Sequence, residues 1–448
     1  MSAKNENIDP TEEASVQLET LKKPEEDQSY GAIVKRQFKK NKPAVWSLRF
    51  IILIVIIGLS ADFLANEKPL MCKLDGTIYF PVFREYIVDF GGSWPEALID
   101  AKIDWKAADY ESVIWPPVPY GQSEMDFNNA NYVSPTGDQT VKSKRWWHWL
   151  GTDEVGRDVM SGMIHGTRIA MMVGVVSMSI ASIIGIFMGA MAGYFGDEKL
   201  KTTWANILLF IVSLPFAFFY GFQIRSYSIG EAFANSLFSA LFQVFIGIVI
   251  FSVIIMAFQL IAKLVNKALK LKATTSVPID IMVSRSIEIL ISVPRLLLIM
   301  SIVAIAKPSI MLVMVIIGAT SWTGIARFTR GELLRVRNLE YIEAAQSLGY
   351  SEFRTIFRHA IPNSLAPVLI AIAFGVAGAI LTESFLSFLG IGVEAEVATW
   401  GKLLSLARKN FSAWWLALAP GFAIFITVTI YNLMGEGLTD ALDPRLKQ

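Results

Sequence analysis

The stretch Glu343–Pro362, EAAQSLGYSEFRTIFRHAIP, is a charged segment in a chain that is otherwise largely apolar. Residues 340–348 place apolar side chains at helical spacing, and Gly349 follows where a left-handed residue ends a helix. Ser351 is placed to cap a second short helix that runs to His359, and the closing proline is expected to stop it. The stretch therefore predicts two short helices joined by a glycine elbow.

The predicted elbow carries the side chains of a docking surface. Ala344 and Ala345 are small enough to let the backbone of a partner approach closely. The second helix adds an apolar face, which a loop surrounded by water would not need, made of Tyr350, Phe353, Ile356 and Phe357. The alternative is an amphipathic helix on the membrane surface, with Arg354 and Arg358 near lipid phosphates.

The composition predicts a membrane protein. The chain has 448 residues, of which 53% are hydrophobic and 18% charged, and soluble domains of this length rarely carry so much apolar sequence. The net charge of +1 indicates no nucleic-acid partner. The single cysteine, Cys72, excludes an intrachain disulfide and a cysteine metal cluster, and three widely spaced histidines predict no metal site.

Apolar runs near the roughly 20 residues needed to cross a bilayer occur about eight times, which predicts an all-α polytopic membrane protein. The predicted spans are 46–66, 168–195, 203–222, 236–263, 282–306, 308–326, 364–390 and 414–435. Lysine and arginine residues near the span ends predict that both termini are cytoplasmic.

Two segments outside the spans are distinctive. The polar residues 1–45 predict a cytoplasmic N-terminal tail before the first transmembrane helix, 46–66. Residues 67–161 predict an extracytoplasmic cap that is rich in loops but ordered, because its aromatic residues give it something to bury. The tryptophans expected to pack in the cap or to anchor at the membrane interface are Trp115, Trp146, Trp147, Trp149, Trp414 and Trp415.

The spacing of the elbow resembles the EAA loop of ABC importer permeases, the coupling helix that docks in a groove of the ATPase subunit. The pattern is Glu343-Ala344-Ala345, three residues, Gly349, nine residues, then His359-Ala360-Ile361-Pro362. The general pattern has Ile where this chain has His359, and the peptide-permease branch commonly has His. The resemblance assigns ATPase coupling to Glu343, Ala344, Ala345, Gly349, Phe353, Arg354, Phe357, His359 and Pro362.

Further motifs are similar to the C-type permease subunits of dipeptide and oligopeptide importers. They are HWLGTDEVGRDVMSGMIHGTRI (148–169), GAMAGYFG (189–196), SFLSFLGIGV (384–393), WGKLL (400–404) and NLMGEGLTDALDPRL (432–446). Near the N-terminus, LSADFLANEKPLM (59–71), YFPVF (79–83) and DFGG (89–92) resemble the Yej-type branch, whose members include the microcin C importer of Gram-negative bacteria.

The resemblance implies a type I ABC importer permease fold of six core helices. The core would comprise residues 162–198 and 278–448, with the EAA loop at about 327–362. Residues 199–277 would insert two extra helices, and an even number of helices preserves the topology. Their apolar, nearly charge-free composition predicts a position at the lipid-facing periphery.

The resemblance also implies the assembly. The chain would be a multi-pass permease of the bacterial inner membrane for peptides or peptide-like compounds, contacting membrane lipid and pairing with a homologous permease. A solute-binding protein would deliver substrate from outside. No G-x-x-x-x-G-K-[ST] loop occurs in the sequence, so the chain is predicted not to be an enzyme. ATP and Mg would be used by two partner ATPase subunits.

Five ionisable residues are candidates for the substrate pathway or gate: Arg295, Glu383, Asp153, Arg157 and Asp158. Charges within spans are costly and should face the protein interior or a wet path. Arg295 could meet a substrate carboxylate, snorkel or pair with a neighbour, and Glu383 could attract a peptide ammonium or make a structural hydrogen bond. In the outer GTDEVGRD segment the alternative is local capping and pairing. Arg285 and Glu288 predict a helix-surface pair.

Three other functions are weighed against peptide import. Nickel or glycoside importers share much of the C-terminal pattern, although the Yej-like front end argues against them. An ion-coupled secondary transporter predicts midplane carboxylates and an internal repeat, and neither is evident in the sequence. A membrane-anchored enzyme that used the cap would need a nucleophile and a base, and no such arrangement is legible there.

Overall fold

A computed structural model describes residues 30–89, 92–99, 104–235, 237–272, 275–305 and 307–442. Of the predicted tail, residues 1–29 lie outside these ranges, and so do residues 90–91 and 443–446 of the quoted motifs. The helices are α1 (Tyr30–Lys40), α2 (Lys42–Leu59), α3 (Ala61–Leu64), α4 (Pro81–Asp89), α5 (Val159–Phe195), α6 (Trp204–Phe218), α7 (Ser226–Asn235), α8 (Leu237–Ala268), α9 (Ile279–Ser292), α10 (Arg295–Ile305), α11 (Ile310–Val336), α12 (Glu340–Ser347), α13 (Glu352–Thr355), α14 (Ile361–Phe388), α15 (Trp400–Ala407) and α16 (Trp415–Leu442).

Short strands and turns complete the chain. The strands are β1 (Met71–Leu74), β2 (Thr77–Tyr79), β3 (Ser112–Ile114), β4 (Lys201–Thr202) and β5 (Thr275–Ser276). Single turns of 3₁₀ helix lie at Glu96–Leu98, Phe127–Asn129 and Lys144–Trp146, and wide π-helical turns at Phe219–Gln223 and Ile356–Ala360.

The predicted all-α membrane fold is confirmed. Among the described residues, seven helical segments are long and apolar enough to cross a membrane, and a bent helix pair brings the number to as many as eight. The seven are Lys42–Leu59, Val159–Phe195, Trp204–Gln223, Ser239–Ala268, Ile310–Val336, Glu352–Phe388 and Trp415–Leu442.

The predicted fifth span, 282–306, is wrong as a single straight helix. It consists of α9 and α10, which meet at 80°. Pro294 lies between them and disfavours the helical conformation at the residue before it. Val293 accordingly adopts an extended conformation, with φ −96° and ψ 128°. Arg295 is therefore the first residue of a new helix at a bend, and not a residue within a continuous span.

The expectation that Pro362 stops the elbow's second helix is also wrong. The helix continues from α13 through a wide turn into α14, because the Ile361 N–H donates to the Ile356 carbonyl, five residues back. The extra residue in this turn shifts the hydrogen-bonding register of the helix by one residue. Pro362 then lies in the first turn of α14, where a missing N–H costs little.

The close approach of α5 and α11 forms the centre of the core. Three glycines of α5, spaced by four residues, lie against the α11 backbone: Gly185, Gly189 and Gly193. A methyl group at Gly189 would lie 2.5 Å from the Ala326 carbonyl oxygen, and one at Gly193 would lie 2.6 Å from that of Arg330. Small residues at this spacing let helices pack closely in lipid, where burying apolar surface gives no driving force.

The cap is a small, independently cored unit. Strand β1 pairs antiparallel with both β2 and β3. Its core contains Cys72, Leu98, Trp105 and Trp115. Trp115 packs against Trp146 at 5.1 Å between ring centroids, as expected for cap tryptophans. Trp149 and Trp414 are exposed, and the buried Trp415 donates its indole N–H to the Thr152 carbonyl at 3.1 Å.

An ion pair ties α3 to α5 beneath the cap. The Arg168 guanidinium donates two hydrogen bonds to Asp62, at 3.0 and 2.7 Å, and a third to the Gly58 carbonyl at 2.9 Å. Tyr86 of α4 donates to the same carboxylate. Burial acts to raise the pKa of Asp62, but the hydrogen bonds from Arg168 and Tyr86 and the Arg168 charge outweigh it and hold the pKa below its ordinary value.

The inserted helices α6 and α8 form a hairpin of their own. The wide turn that follows α6 approaches α8 at Gly221 and Gly247, where a methyl group on either glycine would lie 2.9 Å from the other's carbonyl oxygen. Most large apolar side chains of α8 are exposed in the single chain, including Met256, Leu260 and Leu264. The hairpin therefore has the exposed surface expected of a peripheral element facing lipid.

We expect Gly189→Ala to destabilise the chain, because the added methyl group would push the Ala326 carbonyl away from its contact with α5. Overpacking of this kind costs about 1–3 kcal/mol. The matched control is Gly331→Ala on α11, where a methyl group meets nothing within 4 Å. Thermal unfolding in detergent should show a lower midpoint for Gly189→Ala and no loss for Gly331→Ala, and equal midpoints would contradict the packing argument.

Asp62→Asn should lower the stability of the fold near neutral pH and have little effect on stability in acid. A carboxylate whose folded pKa is depressed stabilises the fold above its unfolded pKa of about 4 and loses that contribution as pH falls through the folded value. Thermal midpoints of wild type and variant should therefore differ at pH 7 and converge towards pH 3. Asp109→Asn, at an exposed cap carboxylate, is the control. A gap that stays constant across this range would contradict the prediction.

Candidate coupling elbow and membrane cavity

The glycine elbow forms as predicted, with two hydrogen bonds that close the end of α12. The Tyr350 N–H donates to the Ala345 carbonyl at 3.2 Å, and the Gly349 N–H donates to the Gln346 carbonyl at 2.9 Å. This pair of bonds is the Schellman motif, which requires a left-handed conformation at the first residue past the helix cap, the donor of the shorter-range bond. Gly349 supplies it with φ +80°.

The next helix begins where the sequence predicts. The Ser351 hydroxyl accepts from the Arg354 N–H at 3.4 Å and caps α13. Arg354 lies over the Tyr350 ring at 4.7 Å, and the His359 ring stacks on the Tyr350 ring with 5.8 Å between the centroids. The turn between the helices is thus held by backbone bonds and by ring contacts.

The inner face of the elbow is anchored to the membrane core. Ile342, Ile356 and Ala360 are buried in one cluster with Tyr194 and Leu333. Two hydrogen bonds add to this anchor. Gln346 donates to the Tyr194 hydroxyl at 2.9 Å, and Arg337 donates to the Gly193 carbonyl at 3.1 Å. Sequence reasoning missed Tyr194 and Gln346, which are 152 residues apart.

The outer face of the elbow is exposed and carries both apolar and charged side chains. Glu343 and Ala344 are exposed on α12. Leu348, Phe353 and Phe357 follow with 75%, 58% and 55% of their surface accessible. The two phenylalanine rings stack nearly parallel with 6.4 Å between their centroids, so they form one apolar patch. An exposed patch of this kind marks an interaction surface.

The predicted coupling residues divide between the two faces. Ala345 is buried, with 6% of its surface accessible, so it supports the elbow from within. His359 is half-buried, and its Nε2 has no hydrogen-bond partner among the described residues. Arg354 and Pro362 are exposed. The structure therefore brings all nine residues to one elbow but does not expose all of them.

The outer residues of GTDEVGRD lie at the start of α5. The buried Asp153 accepts from the N–H groups of Val155 and Arg157, both at 2.9 Å, and Asp158 caps α5 by accepting from the Ser161 N–H at 2.7 Å. This is the local capping that the sequence left as an alternative. Asp153, Arg157 and Asp158 line a small pocket, and Lys402 of α15 lines it too. Burial and then the nearby Arg157 charge lower the pKa of Lys402.

Asp158 also belongs to a buried cluster that sequence reasoning missed. The fully buried His148 has one ring nitrogen 2.8 Å from Asp158 and the other 3.3 Å from Asp126, and its ring stacks on Tyr120 at 4.2 Å. The cluster fixes the cap onto the first turn of α5. No metal-binding group of three or more His, Cys, Asp or Glu side chains occurs in the described ranges.

Glu383 is fully buried and does not line the cavity described below. Its carboxylate accepts from the hydroxyl groups of Ser387 and Ser384, and Thr399, the cap of α15, is its third hydroxyl partner. These contacts are the structural hydrogen bonds that the sequence left as an alternative. Arg285 and Glu288 form the predicted exposed helix pair.

Arg295 lines a cavity of about 570 Å³ between α5, α10, α11, α14 and α16. Its guanidinium donates to the Thr382 hydroxyl at 2.8 Å and to the Ser321 hydroxyl at 3.3 Å. No carboxylate of the described residues pairs with it. The other lining residues are mostly apolar or small, and they include Gly324, Ala371 and Gly378.

Comparison with known proteins gives this arrangement a family. The sequence profile described as "Binding-protein-dependent transport system inner membrane component" matches residues 271–448, which contain the elbow and the cavity residues Arg295 and Ser321. A dipeptide transport system permease protein, DppC, of Alkalihalophilus pseudofirmus is 30% identical over 71% of this chain and 79% of its own length. The chain belongs to this family of ABC permeases.

Other relatives of this permease agree with the motifs near the N-terminus. A profile described as "N-terminal TM domain of oligopeptide transport permease C" matches residues 29–76. The inner membrane ABC transporter permease protein YejE of Escherichia coli is 26% identical over 91% of this chain and 95% of its own length. The peptidoglycan transport system permease protein YejE of Agrobacterium fabrum is 26% identical over 95% of this chain and 97% of its own length. The resemblance to the Yej-type branch is confirmed.

We expect Gly349→Val to distort the elbow, because a β-branched residue is strained at φ +80° by roughly 1–2 kcal/mol. A side chain at Gly349 meets nothing within 4 Å, so any defect must come from the backbone. Gly349→Asn is the matched control, since Asn tolerates this conformation. Proteolysis of the purified permease in detergent should cut the Val variant faster within 339–362, whereas equal cutting of both variants would contradict this account.

Proposed function

We propose that this permease forms half of the translocation pathway of an ATP-driven importer for peptides or peptide-like compounds. Support comes from the names of its relatives, which include transport systems for dipeptides, oligopeptides, glutathione and peptidoglycan. Membership of the permease family also argues against the ion-coupled secondary transporter and the membrane-anchored enzyme.

The proposed assembly contains a second, homologous permease, two ABC ATPase subunits that use ATP and Mg, and a solute-binding protein above the cap. The bent helix pair supports a second permease, because it leaves a broad apolar surface uncovered. Ile289, Leu297 and Ile305 have 68%, 57% and 91% of their surface accessible in the single chain. Membrane lipid would contact the remaining apolar faces, including α8.

The proposed orientation places both termini and the elbow in the cytoplasm. Asn41, before α2, donates to Asp440 near the end of α16 at 2.8 Å, so the two terminal helices meet at one side. Gly58, at the other end of α2, contacts Arg168 in the first third of α5. The far end of α5 anchors the elbow, on the side where α1 and α2 begin. The basic residues near α1 and α11 support assigning that side to the cytoplasm.

The single observation that carries the coupling role is the contrast between the two faces of the elbow. The inner face is bonded to the ends of α5 and α11, whereas the outer face presents Ala344, Leu348, Phe353 and Phe357 without cover. A force applied to the outer face would therefore reach two transmembrane helices without being absorbed by a flexible loop. In the proposed cycle, closure of the ATPases upon ATP binding supplies that force.

Ala344→Trp should abolish transport-coupled ATPase activity, because a large side chain at this exposed position would prevent close approach of an ATPase groove. Lys267→Trp, an exposed position in the last turn of α8, is the control. The measurement is affinity purification of the tagged chain from its native host, with mass spectrometry of what co-purifies and ATPase assays of the complex. Wild type and Lys267→Trp should retain P-loop ATPases, and Ala344→Trp should lose them at least tenfold.

Two results would count against the proposal. If wild type purified without a second permease and ATPases, the importer assembly would be wrong. If Ala344→Trp retained its ATPases and their activity while its thermal midpoint matched wild type, the elbow would not be the docking surface.

A further inference from the structure

Arg295 is exposed in the single chain and presents its charge to an open cavity, where no acidic side chain of the described residues neutralises it. Its partner Ser321 lies eleven residues after the start of α11, which at 1.5 Å per residue is about 16 Å along a helix of about 40 Å. A cation at that depth is costly unless it faces a wet path or an anion. The described residues that line the cavity include neither Asp nor Glu.

The contacts of the guanidinium hold it in place but do not use all of its N–H donors. Thr382 and Ser321 take two of its five N–H donors. Both hydroxyl groups are themselves fixed, because each donates to a backbone carbonyl of its own helix, that of Gly378 or of Ile317. The remaining donors are available to a group that enters the cavity, and a guanidinium matches a carboxylate in a bidentate geometry.

The surroundings of Arg295 favour the binding of an anion over a purely structural role for this residue. Small residues leave the cavity open beside the arginine, and a volume of about 570 Å³ is in the range of small-molecule sites. Helix α10 also begins at Arg295, so the positive end of its dipole lies at the same bend. Broken helices at membrane depth offer such ends to anionic substrate groups in other transporters.

We infer that Arg295 is a substrate-contacting residue that binds the carboxylate of a peptide as it passes through this cavity. The inference rests on the proposed function and makes it more specific: the permease itself, and not only the solute-binding protein, selects substrates with a free carboxylate. Thr382 and Ser321 act as positioning residues that aim the guanidinium. No covalent step is involved.

The test compares a peptide with its neutral counterpart. The complete transporter, purified with its partner permease, ATPases and solute-binding protein, is reconstituted in liposomes, and uptake of labelled trialanine is compared with that of trialanine amide. Arg295→Gln should lower the ratio of acid to amide uptake about tenfold or more, the effect of losing one charge-assisted hydrogen-bonding partner. Arg285→Gln, in the exposed pair on α9, should leave the ratio unchanged.

A second variant keeps the test decisive if Arg295→Gln assembles poorly. Thr382→Val preserves the charge and removes the hydroxyl that orients it, so the same ratio should fall by a smaller factor. Equal loss of acid and amide uptake in both variants would overturn the inference and indicate that Arg295 pairs with an acidic residue of the second permease. An unchanged ratio would also overturn it. Wild-type complex that imports neither peptide would instead refute the proposed peptide substrate.

Discussion

The close approach of α5 and α11 is the contact on which the other features of this permease depend. Because Gly185, Gly189 and Gly193 lack side chains, the two backbones touch along the halves nearest the elbow. Closeness there brings Tyr194 within hydrogen-bonding distance of Gln346 and puts Arg337 on the Gly193 carbonyl. The elbow is thus bonded to a rigid helix pair and is not a free loop between two spans.

Two prolines affect their helices in opposite ways. The difference lies in the backbone that precedes each of them. Pro294 follows an extended residue and divides α9 from α10 at 80°. Pro362 follows a wide turn that has already shifted the register, so the helix passes through it. The first proline opens a bend for Arg295 and its cavity. The second leaves the elbow continuous with α14, whose residues Ala371 and Gly378 line that same cavity. Movement of the elbow therefore has a direct helical connection to the cavity wall.

Sequence patterns predicted the features that depend on neighbouring residues. Hydropathy located the spans, and Gly349 with Ser351 located the elbow, because a left-handed residue and a helix cap act within a few residues. The patterns failed where distant segments meet. Neither the 80° bend nor the continuation past Pro362 follows from hydropathy, and His148 gives no sign in sequence of its contacts with Asp126 and Asp158. Glu383 and Arg295 looked alike as charges within spans, and only their neighbours separate a buried structural carboxylate from an arginine at an open cavity.

The insertion between α5 and α9 shows why the core tolerates so large an addition. Strands β4 and β5 pair where the hairpin leaves and rejoins the core, so its two ends are held side by side. Within the hairpin, Asn206 and Asn266 bond to each other at 2.9 Å and satisfy polar groups that lipid could not. Because the β4–β5 pair holds the two ends of the hairpin together, α9 begins on the side where α5 ends. The elbow then stays on the side of the terminal helices, and coupling needs no compensation elsewhere in the fold.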